Sequence, residues 1–181
     1  MQINVEVIET ERLILNRPTE KDIKKISAIL NNEIYAKNTI NIPFPYTEND
    51  AKFWLDVVKE GWQKKNKFIF TIRLKENNTL IGAVGLTINS IFNKAELGYW
   101  LDEKYWNKGF ATEAVKAIIQ FGFTTLNLKR IFSTHFDFNN SSGKVMQKAG
   151  MKKEGILYCH TYKNGAYQNH ILYAIINEHI E

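Results

Sequence analysis

Residues 95–114 decide the fold of this chain, and they read AELGYWLDEKYWNKGFATEA. Residues 95–101 alternate as a pleated strand does, and from Gly109 onward the apolar residues recur at helical spacing. The loop between them delivers Lys108 and Gly109 to the first turn of the helix. Gly109 allows a ligand to approach the backbone closely, and the unpaired N–H groups of a helix start attract anions. The stretch therefore predicts a phosphate-binding loop; the alternative is a simple turn with a solvated lysine.

Outward from this unit, hydrophobic spacing predicts a mixed α/β domain with the element order βααβββαβαββ. The preceding elements are a strand over 12–16, helices over 20–31 and from Thr47 to Trp62, and strands over 68–74 and 80–88. The following elements are a helix over 109–126, a strand over 130–136, a helix over 141–148 and two strands around a turn at 163–165. Prolines make residues 40–46 a loop.

Composition limits the classes of protein to which the chain can belong. The 181 residues are 44% hydrophobic and show no linker or repeat, so we expect one domain over residues 1–181. The net charge of +5 does not single out nucleic acid as a partner. One cysteine, no signal peptide at residues 1–6 and no long apolar run predict a soluble, cytoplasmic protein that does not enter the membrane.

Several kinds of site are disfavoured by the residues themselves. Neither phosphate-binding glycine motif of nucleotide triphosphatases or dinucleotide enzymes is present. The four histidines lack metal-ligand spacing, so we expect no metal. Cys159 and His160 are neighbours on a predicted strand and should point to opposite faces, which argues against a thiol–imidazole pair.

The arrangement resembles the GNAT superfamily of acetyl-CoA-dependent N-acyltransferases. The pyrophosphate loop of that family, Arg/Gln-x-x-Gly-x-Gly/Ala, is similar to residues 106–111, although Trp106 replaces the first residue. That departure resembles the RimJ/RimL branch of ribosomal-protein N-terminal acetyltransferases. Further similar stretches lie at residues 10–15, 42–47, 95–100, 139–151 and 163–173. The resemblance thus runs from about Thr10 to Ile176 and implies the GNAT fold.

The resemblance also implies which residues bind acetyl-CoA. Backbone groups of Trp100 and Leu101 would pair with pantetheine, and Asn139 would hydrogen-bond the same arm. The loop residues would wrap the pyrophosphate; they are Trp106, Asn107, Lys108, Gly109, Phe110, Ala111 and Thr112. Ser142 would lie near the thioester sulphur and protonate the leaving thiolate. For Asn139 and Ser142 the alternative role is helix capping.

Acyl transfer to an amine needs a neutral amine, and the resemblance places Glu96 as the general base, acting through water. Strand alternation puts Glu96 on one face with Gly98 and Trp100. The alternative is a structural carboxylate paired with a lysine such as Lys94. His160 is a second candidate base, because the branch carries a Glu where this chain has His160-Thr161, and a family Asp on the last strand is Asn169 here.

These observations predict an acetyltransferase that uses acetyl-CoA and a primary amine in a direct transfer. The expected acceptor is a protein N-terminus, and the alternative acceptor is a small amine such as a polyamine, an amino acid or an aminoglycoside. A non-catalytic CoA sensor and a basic nucleic-acid-binding module are the hypotheses from other classes. Pairing of two chains into a homodimer stays open.

Overall fold

The computed structural model describes Val5 and residues 7–180. The strands are β1 (Val7–Glu9), β2 (Leu13–Asn16), β3 (Lys67–Leu74), β4 (Leu80–Asn89), β5 (Lys94–Leu101), β6 (Arg130–Phe136), β7 (Lys152–Lys163) and β8 (Ala166–Ile176). The α-helices are α1 (Ile23–Leu30), α2 (Glu33–Asn38), α3 (Glu48–Gln63), α4 (Phe110–Thr124) and α5 (Asn140–Lys148). Apart from Val5, the N-terminal residues used against a signal peptide lie outside the described part of the chain.

All eight strands form one mixed sheet in the order β1-β2-β3-β4-β5-β6-β8-β7. Neighbours are antiparallel except β5 and β6, which run parallel. Parallel neighbouring strands need a crossover connection, and the crossover from β5 to β6 contains α4. The predicted phosphate-binding loop therefore lies between the end of β5 and the start of α4. The predicted mixed α/β class is confirmed.

Every element predicted from spacing is present, and two more are added. The strand β1 has three residues and the helix α2 has six, which is too short for a periodic pattern to show. The helix predicted over 20–31 begins as a 3₁₀ turn over Glu20–Asp22 and becomes α-helical only at Ile23.

Threonine residues cap two of the N-terminal helical segments. Thr19 donates its backbone N–H to an Asp22 carboxylate oxygen at 2.8 Å, and Thr47 does the same to Asp50 at 2.8 Å. The Asp50 N–H returns a bond to the Thr47 hydroxyl at 3.3 Å, which completes a capping box. These contacts satisfy N–H groups that a helix start otherwise leaves unpaired.

Two hydrophobic clusters lie against the sheet. The larger contains Ala95, Leu97 and Leu101 together with side chains of α4 and α5. The smaller gathers side chains of α1 and α3, and Trp100 packs against it. The alternation predicted for β5 is therefore confirmed, with residues 96, 98 and 100 on the side of the smaller cluster. None of the helices within the described residues combines the length and the apolar composition needed to cross a membrane.

Candidate active site

The strands β5 and β6 diverge soon after they pair, and we call the gap that opens between them the parting. They pair only at Lys94–Glu96 with Arg130–Phe132. One step further the Ser133 hydroxyl donates to the Leu97 carbonyl at 2.8 Å, and beyond it no residues of the two strands are paired. Because backbone donors and acceptors need partners, this parting leaves the following edge of β5 open to an extended ligand.

The loop after β5 is tied back to the strand that precedes it. The indole N–H of Trp106 donates to the Leu101 carbonyl at 2.7 Å. Asp102 caps a 3₁₀ turn over Glu103–Tyr105 by accepting from the Lys104 N–H at 3.1 Å. Trp106, which stands where the family motif has Arg or Gln, thus anchors the loop by its ring nitrogen.

Two left-handed residues shape the loop before α4. Asn107 has φ +61° and Gly109 has φ +84°, and Gly109 is the N-cap of the helix. The first intrahelical bond runs from the Glu113 N–H to the Gly109 carbonyl at 3.0 Å. The N–H groups of residues 110–112 therefore have no intrahelical acceptor, and the helix dipole adds partial positive charge beside them.

Asn139 and Ser142 meet at the start of α5. The Asn139 side-chain oxygen accepts from the Ser142 N–H at 3.3 Å, so Asn139 does cap the helix. The Ser142 hydroxyl lies 2.6 Å from the Tyr99 hydroxyl, which also donates to the Ser142 carbonyl at 3.0 Å. Burial raises the pKa of Tyr99 despite its bond to Ser142, so this phenol stays protonated.

Trp100 and Leu101 occupy the open end of β5. Trp100 is the register partner of Ala83 in β4, and a Cβ placed on Gly82 would lie 2.4 Å from the Trp100 carbonyl. The Leu101 carbonyl accepts two hydrogen bonds, from Trp106 and from the Tyr35 hydroxyl at 3.2 Å. This carbonyl already has its full complement of donors.

Glu96 lies exposed where the two strands part. No hydrogen bond or ion pair reaches its carboxylate from the described residues. The Lys94 ammonium, which was the alternative partner, lies instead 5.3 Å from the Phe92 ring centroid and 5.5 Å from that of Phe132. A Cβ built on Gly98, the next residue on this face, would meet nothing within 4 Å. Glu96 therefore borders open space.

Thr134 and His170 continue the Glu96 face beyond the parting. Paired residues share a face, and the register joins Glu96 to Phe132 and Phe136 to His170. His170 is 2% exposed, and its ring nitrogens lie 3.1 Å from the hydroxyls of Thr134 and Thr161. Burial lowers the pKa of His170, and the nearby His160 lowers it further.

The strand β7 carries an irregularity beside this histidine. Its register jumps from Leu157 to Thr161, and Cys159 has φ +50°. The regular alternation assumed for Cys159 and His160 does not hold there. Cys159 donates its N–H to Asn169, whose amide donates to Asp137, and the exposed His160 ring packs 4.9 Å from His170. In the described part of the chain, no group of three His, Cys, Asp or Glu residues is placed to hold a metal ion.

A shallow pocket lies on the same side, between α2 and the β7–β8 turn. It has a volume of about 200 Å³ and is lined by Lys37, Phe136, Phe138, Lys163, Asn164 and Gln168. The Lys163 ammonium donates to the carbonyls of Ala36 in α2 and of Thr39, the residue that caps the C-terminal end of α2. In the loop before α3, Phe44 is exposed and Tyr46 is buried in the smaller cluster.

Three contacts of the site were missed by sequence reasoning. They are the Tyr99–Ser142 bond, the Tyr35 hydroxyl on Leu101 and an ion pair between Arg12 and Glu113. The Asn32 cap, whose side chain accepts from the Ile34 N–H at 3.0 Å, is the sequence signal that could have located α2 and with it Tyr35.

Comparison with known proteins agrees with this geometry. The acetyltransferase (GNAT) domain family matches residues 12–152. The chain is similar to the N-acetyltransferase p20 of Bacillus licheniformis, with 32% identity over 84% of this chain and 86% of that protein. It is similar to the N-acetyltransferase YoaA of Bacillus subtilis, with 28% identity over 94% and 96%.

Solved structures of ribosomal-protein acetyltransferases are also similar. The ribosomal-protein-S5-alanine acetyltransferase of Vibrio fischeri is 28% identical, with a TM-score of 0.84, over 95% of this chain and 97% of that one. The ribosomal L7/L12 α-N-protein acetyltransferase RimL, in complex with coenzyme A, is 19% identical with a TM-score of 0.87, over 94% and 98%.

Proposed function

The chain belongs to the GNAT acetyltransferase family and is an N-acetyltransferase, and on that premise we propose that it moves the acetyl group of acetyl-CoA to the α-amino group of a protein N-terminus. The observation that carries the proposal is the parting of β5 and β6 beside a loop with free backbone N–H groups. An extended donor can lie in the parting with its pyrophosphate on the loop.

The donor-binding role falls to residues that converge on the end of β5. Residues 106–112 hold the pyrophosphate through backbone N–H groups, and Lys108 adds a charge. Along β5 the proposed backbone contact to pantetheine is at Leu101, because the Trp100 carbonyl faces Gly82 of β4. Since the Leu101 carbonyl is already used twice, its N–H is the group left for the ligand. The oxygen of the Asn139 amide caps α5, so its NH₂ group remains for pantetheine.

The acceptor must lose a proton before it attacks. At pH 7 an α-amino group with a pKa near 8 costs about 1.4 kcal/mol to deprotonate, and a lysine near 10.4 costs about 4.6 kcal/mol. We propose that Glu96 takes this proton through a water, because its carboxylate has no partner in the described chain and borders the open space at Gly98. The smaller cost favours an N-terminal acceptor over a lysine.

The leaving thiolate needs a proton as the C–S bond breaks. We assign this role to Ser142, whose hydroxyl is held 2.6 Å from the Tyr99 hydroxyl. Tyr99 keeps its own proton, because burial raises its pKa, and it positions the Ser142 hydroxyl; solvent replaces the proton that Ser142 gives to the thiolate. No covalent intermediate on the protein is required, so we expect sequential kinetics.

The similar Vibrio fischeri protein is named for an alanine of ribosomal protein S5, and because the alanine side chain carries no amine, that name supports an α-amino acceptor. Lys37 and Lys163 at the pocket weigh against a polyamine or an aminoglycoside, because those ligands carry several positive charges. The same lysines suit a free amino acid, whose carboxylate they would attract, and this is the second candidate acceptor.

Thiol release from acetyl-CoA tests the proposal. The acceptor pools are short peptides with varied N-termini, free amino acids, and polyamines with aminoglycosides, each compared with a reaction lacking acceptor. We expect release with the peptides. Release with amino acids alone would replace the acceptor and keep the chemistry. Binding of CoA without release in any pool would favour a non-catalytic sensor.

A further inference from the structure

Arg12 and Thr10 reach from the N-terminal part of the chain to the first turn of α4. The Arg12 Nε donates to Glu113 Oε2 at 2.7 Å, and its Nη2 lies 2.7 Å from the same oxygen. Glu113 Oε1 accepts from the Arg12 backbone N–H at 2.8 Å and from the Thr10 hydroxyl at 2.6 Å. The Glu113 side chain is only 17% exposed, so these four donors satisfy a largely buried carboxylate.

Arg12 also forms a hydrogen bond with the backbone of the loop before α4. Its Nη1 donates to the Lys108 carbonyl at 3.1 Å. In a trans peptide the C=O and the following N–H point in opposite directions. The bond therefore turns the Gly109 N–H away from Arg12. Gly109 itself lies close by, because a Cβ built there would come within 3.3 Å of Arg12 Nη2.

The negative charge of Glu113 is unfavourable for anion binding at the start of α4. A carboxylate in the first turn of α4 repels an anion bound at the same helix start. Burial raises the pKa of Glu113, but the bonds from Thr10 and Arg12 outweigh burial and lower it, so the group is ionised. Its negative charge is matched by the Arg12 guanidinium, and the pair is neutral toward a ligand.

We infer that Thr10, Arg12 and Glu113 form a clamp that holds the pyrophosphate loop in its binding conformation, with Arg12 as a positioning residue for the acyl donor. The inference rests on the proposed function. In the clamp, Glu113 orients the guanidinium, and the guanidinium orients the peptide between Lys108 and Gly109.

A purely electrostatic role and a positioning role predict opposite changes in acetyl-CoA affinity for one substitution. If Arg12 acted only as a cation, or Glu113 only as an anion, Glu113→Gln would remove repulsion and tighten acetyl-CoA binding. If the clamp positions the loop, Glu113→Gln weakens binding, because one neutral oxygen replaces a bidentate carboxylate. The sign of the change therefore separates the two accounts.

The experiment measures equilibrium binding of acetyl-CoA and steady-state turnover with acetyl-CoA and with S-acetylpantetheine, which lacks the pyrophosphate. The variants are Arg12→Ala, Arg12→Lys, Glu113→Gln and the double variant of Arg12→Ala with Glu113→Gln. Matched controls are Arg130→Ala and Glu154→Gln, since Arg130 and Glu154 form a similar two-pronged ion pair on β6 and β7. Thermal unfolding verifies that each variant is folded.

We expect Arg12→Ala to raise the Kd and KM for acetyl-CoA about tenfold, with kcat within about twofold and turnover of S-acetylpantetheine unchanged. Glu113→Gln and Arg12→Lys should weaken binding by smaller factors, the latter because an ammonium cannot span both carbonyl and carboxylate. The double variant should bind acetyl-CoA no more weakly than Arg12→Ala, because the clamp is already lost in Arg12→Ala and the second change removes the unmatched carboxylate. The controls should match the wild type.

Tighter or unchanged binding by Glu113→Gln would overturn the clamp. Equal losses with acetyl-CoA and S-acetylpantetheine would also overturn it, since the defect would then not concern the pyrophosphate. A wild type that binds no acetyl-CoA would instead remove the proposed function, and the clamp with it. Should Arg12→Ala fail to fold, Glu113→Gln and Arg12→Lys still decide the sign.

Discussion

The two sides of the parting between β5 and β6 are built differently. We call the donor side residues 99–112 and 139–142, and the acceptor side Glu96, Thr134, α2 and the β7–β8 hairpin. On the donor side several side chains have fixed partners, as in the Trp106–Leu101 and Tyr99–Ser142 bonds. On the acceptor side Glu96 has no partner within the described residues, and the rings of Tyr158, Tyr162 and Tyr167 are mostly exposed.

The difference reflects what each side has to recognise. The donor is one molecule, so backbone N–H groups and a pre-set loop can be fixed in advance at little cost on binding. On the proposed function, the acceptor would contact side chains that come from four separate segments. We therefore expect changes on the donor side to alter affinity for acetyl-CoA, and changes on the acceptor side to alter the rate or the choice of amine.

Removal of the base should have the largest effect. Glu96→Gln keeps the shape of the side chain but cannot take a proton, so kcat should fall about 100-fold while the Kd for acetyl-CoA stays unchanged. Turnover at several pH values and calorimetry with acetyl-CoA measure the two quantities. Glu154→Gln is the control.

The same measurement decides between the two candidate bases. A variant with His160→Asn should retain most of its activity, because His160 is exposed and packs on His170. Unchanged turnover in Glu96→Gln together with a large loss in His160→Asn would reverse the assignment.

Loss of the proton donor should come next in size. Ser142→Ala should lower kcat about tenfold or more, and Tyr99→Phe should lower it less, because Ser142 keeps its hydroxyl but loses its partner. The contrast is sharpest with a donor whose leaving group needs no proton. An acetyl thioester of an acidic thiophenol should restore most of the rate of Ser142→Ala, and a failure of this rescue would contradict the role of Ser142.

A change at Gly109 should separate binding from chemistry. Gly109→Ala places a Cβ at φ +84°, a strain of about 1–2 kcal/mol, and brings it toward Arg12. The KM for acetyl-CoA should rise several-fold with little change in kcat. Gly165→Ala, at φ +80° in the β7–β8 turn, carries similar backbone strain outside the donor side and is the control. A fall in kcat without a change in KM would argue against a loop that only binds.

The smallest expected effect is a change in how the melting temperature depends on pH. Burial lowers the pKa of His170 and of His135 in the folded protein, with His160, Lys153 and Asp137 acting as the nearby charges. Their contribution is complete above the ordinary imidazole pKa of 6.5 and is lost as the pH falls below it, because the unfolded chain then binds more protons. The melting temperature should therefore fall between about pH 7.5 and pH 5.5. His170→Gln should reduce that fall, and His179→Gln, at an exposed position, should not.

Most of the fold could be predicted because its elements are local in sequence. The strand over 95–101, the helix that follows Gly109 and the Thr47 cap each have a signal within a few residues. The helix α2 escaped because six residues hold fewer than two turns. Nothing local to Tyr35 indicates that its hydroxyl will reach the end of β5.

The donor loop could be predicted for the same reason, and the partners of its residues could not. The contact between Arg12 and Glu113 joins residues 101 positions apart, and that between Tyr99 and Ser142 joins residues 43 apart. Such pairs depend on how the sheet brings segments together. The irregularity at Cys159 depends likewise on a register that hairpin partners determine.

The most direct test of the account follows where the acetyl group goes. A peptide with a free α-amino group and an internal lysine is incubated with acetyl-CoA and the protein at neutral pH, and mass spectrometry locates the acetyl group. The same peptide with a blocked N-terminus is the control. The account predicts acetylation of the α-amino group and none of the blocked peptide. Acetylation of the lysine in either peptide would contradict it.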